Sequence, residues 1–184
     1  MEIATSPFDT SESQEERIDR LKTFFHLIRN GITESNVLVN IQSLDEAKAA
    51  LEAIGEWNTF KPEEVINAIE KLWPETSDLQ IGFEGSPVMY VGIPLWAGQI
   101  RKNEHLRRPI TEEEYIEHRL YEWKDLDELG QKMAKITGDK RLADAEFKQI
   151  VDQVENAFPE ATEVEYQEKH DFPAIPYSVR IWWD

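Results

Sequence analysis

Residues 65–96 read VINAIEKLWPETSDLQIGFEGSPVMYVGIPLW, and residues 150–183 read IVDQVENAFPEATEVEYQEKHDFPAIPYSVRIWW. Each stretch is a helical pattern closed by aromatic-Pro-Glu, then an alternating strand, a turn and a second alternating strand. In the first, Val65, Ile69 and Leu72 or Trp73 recur at helical spacing, and Pro74 removes the donor and the room that another turn would need. Leu79, Ile81 and Phe83 then alternate with polar or small neighbours. Gly85, Ser86 and Pro87 turn the chain, and Val91, Ile93 and Leu95 share one face of the return strand. In the second, Phe147, Ile150, Val151, Val154 and Phe158 precede Pro159, Val164 and Tyr166 alternate with acids, and Val179, Ile181 and Trp183 share a face.

The likeness extends upstream. Ser43, Leu44, Asp45 and Glu46 carry a helix-capping signal that Asp125, Leu126, Asp127 and Glu128 repeat. Gly55 ends the helix begun at Leu44, and Gly138 lies in the matching place. In register, Glu70 falls on Glu155, Pro74 on Pro159, Val91 on Val179, Ile93 on Ile181 and Leu95 on Trp183. The extra residues of the second copy fall between its helices and in its hairpin loop, where insertions are tolerated.

Caps, stops and strand phase agree, and the reading is a tandem duplication of a helix-helix-hairpin unit. A lone two-stranded hairpin is marginal. The expected fold is therefore α+β: two repeats related by a pseudo-twofold, their hairpins joined in one antiparallel sheet with helices on one face.

The rest of the chain divides around these units. Residues 1–14 are polar and acidic and read as a loose arm. Residues 15–42 hold an N-terminal helix, with Ile18, Leu21, Phe25 and Ile28 on one side and Gly31 at its exit, and a short alternating segment through Val37, Val39 and Ile41 that reads as a strand. Repeat 1 occupies 43–96. Residues 97–124 form a connection with a basic cluster, Arg101, Lys102, Arg107 and Arg108, and a helix opened by Thr111 and Glu114. Repeat 2 occupies 125–184, and the whole is expected to be one compact unit.

Composition narrows function by exclusion. The chain of 184 residues has a formal net charge of −17, which repels phosphate backbones and anionic lipid and attracts basic protein surfaces. It has no cysteine, hence no disulfide and no thiolate metal site. No apolar run approaches membrane-spanning length, and the N-terminus has no basic-then-apolar leader pattern, so a cytoplasmic protein is expected. Nucleophile elbows and phosphate loops are missing. Glu114 and His118 stand four apart on one expected helix, but no third ligand accompanies them, and paired acids such as Glu63 and Glu64 sit in helix first turns where the macrodipole accounts for them. No catalytic residue, metal or cofactor is assigned. The short basic cluster, interrupted by Glu104, reads as a solvated linker or one pinned against the protein's own acids, not as a contact for nucleic acid.

Strand phase supplies the candidate binding residues. If Leu79, Ile81, Phe83, Val164, Tyr166, Val179, Ile181 and Trp183 face the helices, the other face carries Asp78, Gln80, Glu84, Tyr90, Glu163, Glu165, Arg180 and Trp182. Carboxylates steer and aromatics anchor, so this face suits a basic protein surface; the other reading is an ordinary solvated face with Trp182 covered by the N-terminal arm. The expectation is a non-enzymatic acidic binding protein of the inhibitor, immunity or DNA-mimic kind, binding through Asp78, Glu84, Tyr90, Glu163, Glu165, Arg180 and Trp182. The alternatives are an assembly subunit or adaptor joined through tryptophan-rich patches and, behind it, a small enzyme with a site of scattered acids and histidines.

Overall fold

The computed structural model describes residues 13–32, 36–106, 128, 131–132, 134, 138–168, 175 and 177–184. Within them the order is α1 (Gln14–Arg29), β1 (Asn36–Ile41), α2 (Leu44–Ile54), α3 (Pro62–Leu72), β2 (Leu79–Glu84), β3 (Pro87–Gly92), α4 (Asp144–Glu155), β4 (Glu163–Gln167) and β5 (Ser178–Trp182), with short 3-10 turns after α3 and β3. The five strands form one sheet in the order β1-β2-β3-β5-β4, every neighbouring pair antiparallel. The two hairpins lie in one antiparallel sheet, as expected, with the junction between β3 and β5, and the ambiguous N-terminal segment becomes the edge strand β1.

The fold is α+β, and the expected inward residues are inward. Leu79, Ile81, Phe83, Val91, Val179, Ile181 and Trp183 are buried in one cluster with Leu21 and Phe25 of α1, Leu51 and Ile54 of α2, Val65 and Ile69 of α3, and Val151 and Val154 of α4. Trp183 is central: Phe60 meets its ring edge-on at 5.0 Å and Phe158 at 6.0 Å between centroids. Edge-to-face pairs of this kind add specific attraction to the burial of large rings.

Four local expectations are corrected, and one left open is decided. The chain is committed to helix before residue 15, because Ser13 caps α1: its hydroxyl accepts from the Glu16 N–H at 3.3 Å, and the Glu16 carboxylate accepts from the Ser13 N–H at 3.0 Å. Ser43 caps α2 as read, accepting from the Glu46 N–H at 3.2 Å, but the return half is missing: Glu46 accepts from the Gln42 N–H and from Arg17 instead. Pro74 does not follow the α-helix directly; α3 ends at Leu72 and Pro74 sits inside a 3-10 turn, Trp73–Glu75, which its fixed φ permits. α4 ends at Glu155, three residues before Phe158, so Pro159 follows a turn and not the last helical residue. Trp73 is half-buried and lies under the Arg101 guanidinium, 3.6 Å from its centroid, while Leu72 takes the buried position.

The basic cluster is pinned where it is described. Arg101 donates to Thr76 Oγ1 at 2.9 Å, and Lys102 pairs with Glu75. Arg107, Arg108, the helix expected from Thr111, the expected Glu114–His118 pair and most of 125–137 lie outside the described residues, as do residues 1–12 and most of the second hairpin loop.

Candidate binding face

Alternation along the strands places two cross-strand rows on the sheet face that looks away from the helices. In one, Asn40, Gln80, Tyr90, Arg180 and Glu165 stand side by side from β1 to β4. In the next, Leu38, Gly82, Val88, Trp182 and Glu163 do the same. The first row is polar. The second is apolar for most of its width, with an acid at its edge.

Arg180 organises the polar row. Its Nη1 donates to Glu163 at 2.9 Å and its Nη2 to Glu84 at 3.0 Å, reaching across β3. The Tyr90 hydroxyl donates to the other Glu84 oxygen at 3.1 Å. Partial burial works against the Arg180 charge, but its bonds to Glu84 and Tyr90 outweigh that and move its pKa up. Burial, and then the Glu84 charge, push the Tyr90 phenol up; Arg180 opposes the shift without cancelling it. Glu165 stands opposite Arg180 in register and takes a longer bond, 3.4 Å, from Gln167. Asp78 is exposed just before β2. Three carboxylates, Glu84, Glu163 and Glu165, therefore stand around the Arg180 guanidinium, which is bonded to the first two, while Asp78 lines a pocket at the sheet's end with Arg101 and Lys102.

The apolar row forms a small second cluster. Val88 and Tyr90 are buried, with Leu38, Ile175 and Trp182 packed against them. Leu38 lies across Gly82, where an added Cβ would come within 2.7 Å of Leu38 Cδ2 and 1.9 Å of the Val37 carbonyl oxygen. Trp182 is half-buried beside Arg180, whose guanidinium centre lies 5.7 Å from its ring. Its Nε1 is buried and has no hydrogen-bond partner among the described residues.

All seven residues expected to bind, Asp78, Glu84, Tyr90, Glu163, Glu165, Arg180 and Trp182, belong to this side of the sheet or its edge. Two differ in character from the expectation. Tyr90 is buried and engaged with Glu84, and Trp182 packs within the molecule and does not stand bare on a polar face. Sequence reasoning missed Leu38, Val88 and Ile175. The signal for Val88 was present: residues 88–91, Val-Met-Tyr-Val, form an unbroken apolar run, the mark of a strand covered on both faces. For Ile175 there was none, since strand alternation does not place a loop residue.

Among the described residues no helix is long and apolar enough to cross a membrane, and no three His, Asp or Glu side chains gather as metal ligands. Comparison with protein-family models, with curated proteins and with solved structures gives no match.

Proposed function

We propose that the protein is a non-enzymatic acidic binding protein that engages a basic protein surface through the outer face of its sheet. The observation that carries this reading is the set of acids on that side of the sheet, Asp78, Glu84, Glu163 and Glu165, of which Arg180 pairs with Glu84 and Glu163 and leaves Glu165 exposed. Carboxylates on such a face raise the rate of encounter with a basic surface and disfavour an acidic one. The net charge of −17 extends the attraction beyond the face itself. A cytoplasmic setting fits the chain's lack of cysteine.

The adaptor reading is less favoured, because most described tryptophans have intramolecular work. Trp57 meets Phe83 edge-on at 5.1 Å, Trp73 lies under Arg101, and Trp183 is core.

We further infer that the fold descends from duplication, with a pseudo-twofold through the Val91–Val179 pair. Those residues match in sequence register and stand opposite each other across β3 and β5. Tyr90 opposite Arg180 and Gly92 opposite Ser178 exchange under the same register. Gly55 and Gly138, matched in sequence, both hold left-handed φ, +68° and +71°. A cleft of about 780 Å³ between α3 and α4 is lined by matched positions, Ala68 with Gln153, Leu72 with Ala157 and Glu75 with Glu160.

The test is capture from host extract on immobilised protein at low and high salt, in parallel with a Glu163→Lys, Glu165→Lys variant. A basic partner held at low salt, released near ~1 M salt where the Debye length is ~3 Å, and lost by the variant supports the reading. Capture that survives both the salt and the charge reversal overturns it.

A further inference from the structure

Resting on that reading of the outer face, we propose that the basic partner docks along the outer edge of β4: an extended segment of it, alternating basic and apolar residues, adds to the five-stranded sheet as a further antiparallel strand.

The ladder shows which backbone groups β4 turns outward. The Ile93 N–H donates to the Tyr177 carbonyl at 2.7 Å and the Trp183 N–H to the Pro87 carbonyl at 3.1 Å. These flanking bonds set the phase of β5, whose residues Val179 and Ile181 bond to β3. Ser178, Arg180 and Trp182 therefore turn their backbones to β4, where they stand opposite Gln167, Glu165 and Glu163. That leaves the N–H and C=O groups of Val164 and Tyr166 pointing away from the sheet, and neither residue makes a backbone bond beyond β4 among the described residues. The opposite edge is finished differently. There the Asn40 carbonyl of β1 accepts from Arg17 Nη2 at 2.8 Å, and Val39 and Ile41 are buried. At the β4 edge the helix side is half-open: Val164, Tyr166 and Phe147 of α4 are half-buried, with Phe147 edge-on to Tyr166 at 5.9 Å.

Register and charge choose the occupant. Residues of an added strand opposite Val164 and Tyr166 exchange hydrogen bonds with them and lie on the helix side beside Phe147, where apolar side chains close the half-open row. Residues opposite Glu163 and Glu165 lie on the outer face in the closer, non-hydrogen-bonded pairs, where lysine or arginine meets the carboxylates. Both acids are exposed, and of the two Glu163 is paired with Arg180. Arg101 and Lys102 leave this balance unchanged. They line a pocket with Asn40, Ile41 and Leu79 at the β1 edge, where Arg101 donates to Thr76 and Lys102 pairs with Glu75. Four strand spacings, about 19 Å, separate β1 from β4, more than the screening length at physiological salt. A second copy of the chain fits badly, because pairing Val164 with Tyr166 of that copy sets Glu165 against its own counterpart, and like charges directly opposite repel. The acids thus guard the edge against self-association and admit a basic strand.

The test uses the full chain, labelled with ¹⁵N, and the capped peptide acetyl-Thr-Val-Lys-Val-Lys-Thr-amide as probe. At saturation the Val164 and Tyr166 amides should exchange with solvent at least ~10-fold more slowly than in the free protein. The acidic counterpart, acetyl-Thr-Val-Glu-Val-Glu-Thr-amide, should bind ~10-fold more weakly or worse. So should the probe N-methylated at both valines, which has lost the donors to the Val164 and Tyr166 carbonyls. Glu165→Gln, a change at an exposed position, should weaken the lysine probe ~3-fold. If the probe shifts Arg180 and Trp182 resonances while Val164 and Tyr166 exchange as before and N-methylation makes no difference, the partner lies on the face, and the edge inference fails while the proposed binding face stands. Protection of the two amides that grows with protein concentration in the absence of peptide assigns the edge to a second copy and overturns the inference. Equal binding of the lysine and glutamate peptides removes the charge selection on which both this inference and the proposed function rest. A probe without effect at about 1 mM, the weak end of specific recognition, overturns the edge inference, and capture from extract then judges the face separately.

Discussion

Arg17 Nε donates to Glu46 Oε1 at 2.8 Å, and both side chains are buried. The pair joins α1 to the first turn of α2. Its remaining bonds are made too: Arg17 Nη2 donates to the Asn40 carbonyl at 2.8 Å, and Glu46 Oε2 accepts from the Gln42 N–H at 2.9 Å. A buried ion pair satisfied in this way is worth little net, but losing one partner strands the other. Glu46→Ala should therefore cost about 3–5 kcal/mol in a urea titration, whereas Arg17→Met with Glu46→Leu should come within about 1 kcal/mol of wild type. Equal losses for the single and double variants would show that packing of α1, and not charge, is being measured.

Phe158 and Trp73 hold matching places in the two sequence stretches but different surroundings. Phe158 is buried against Trp183. Phe158→Ala should cost about 3–5 kcal/mol, as for large core aromatics elsewhere. Trp73→Ala should cost only about 1–2 kcal/mol, the value of a half-buried ring and one cation–π contact. Equilibrium unfolding of the two variants side by side checks the order.

Gly82 has no room for a side chain, since its Cβ would lie 1.9 Å from the Val37 carbonyl oxygen. Gly82→Ala should push β1 away from β2 and lower stability by about 2–4 kcal/mol, in the range of overpacking in tight sites. Amide exchange should show lost protection at residues 37–41, and undiminished protection there would refute the contact.

Tyr90 gives the stability curve an alkaline limb. The unfolded phenol titrates near 10.0, and burial followed by the Glu84 charge raises it in the fold. Below the unfolded value both states are protonated and the contribution is fully present. As pH rises through the folded value, the unfolded chain has already released its proton and the contribution is lost. Stability should fall from about pH 10 upward, and Tyr90→Phe should flatten that fall. Some slope should remain, because burial and the Glu168 charge also raise Tyr166. Urea midpoints across the alkaline range decide this, and an unchanged slope in Tyr90→Phe would remove Tyr90 as its source.

Trp182→Ala tests how far the half-buried indole serves the fold. Its ring touches the Val88–Tyr90 cluster, so a loss of about 1–2 kcal/mol is expected, less than for a core tryptophan because the side chain is only half-buried. A loss as large as that of Phe158→Ala would make it a core residue.

The sequence by itself determined the class of fold and the phase of its strands. Alternation is a local property: once Leu79, Ile81 and Phe83 face inward, Gln80 and Glu84 must face outward, whatever the rest of the chain does. Helix starts at Ser43 and Pro62 were legible for the same reason, since caps and prolines act on their own first turns. Tertiary structure decided the rest, because it depends on groups far apart in the chain. Glu46 looked like half of a capping box until Arg17, 29 residues away, offered a buried charge partner stronger than a backbone N–H. Tyr90 and Trp182 looked exposed because their strand neighbours are polar, and neither alternation nor propensity could foretell that Leu38 from one strand and Ile175 from a loop would pack with Trp182 against Val88 and Tyr90. A residue's face is written in its immediate neighbours; what covers that face is set by which distant segment arrives there.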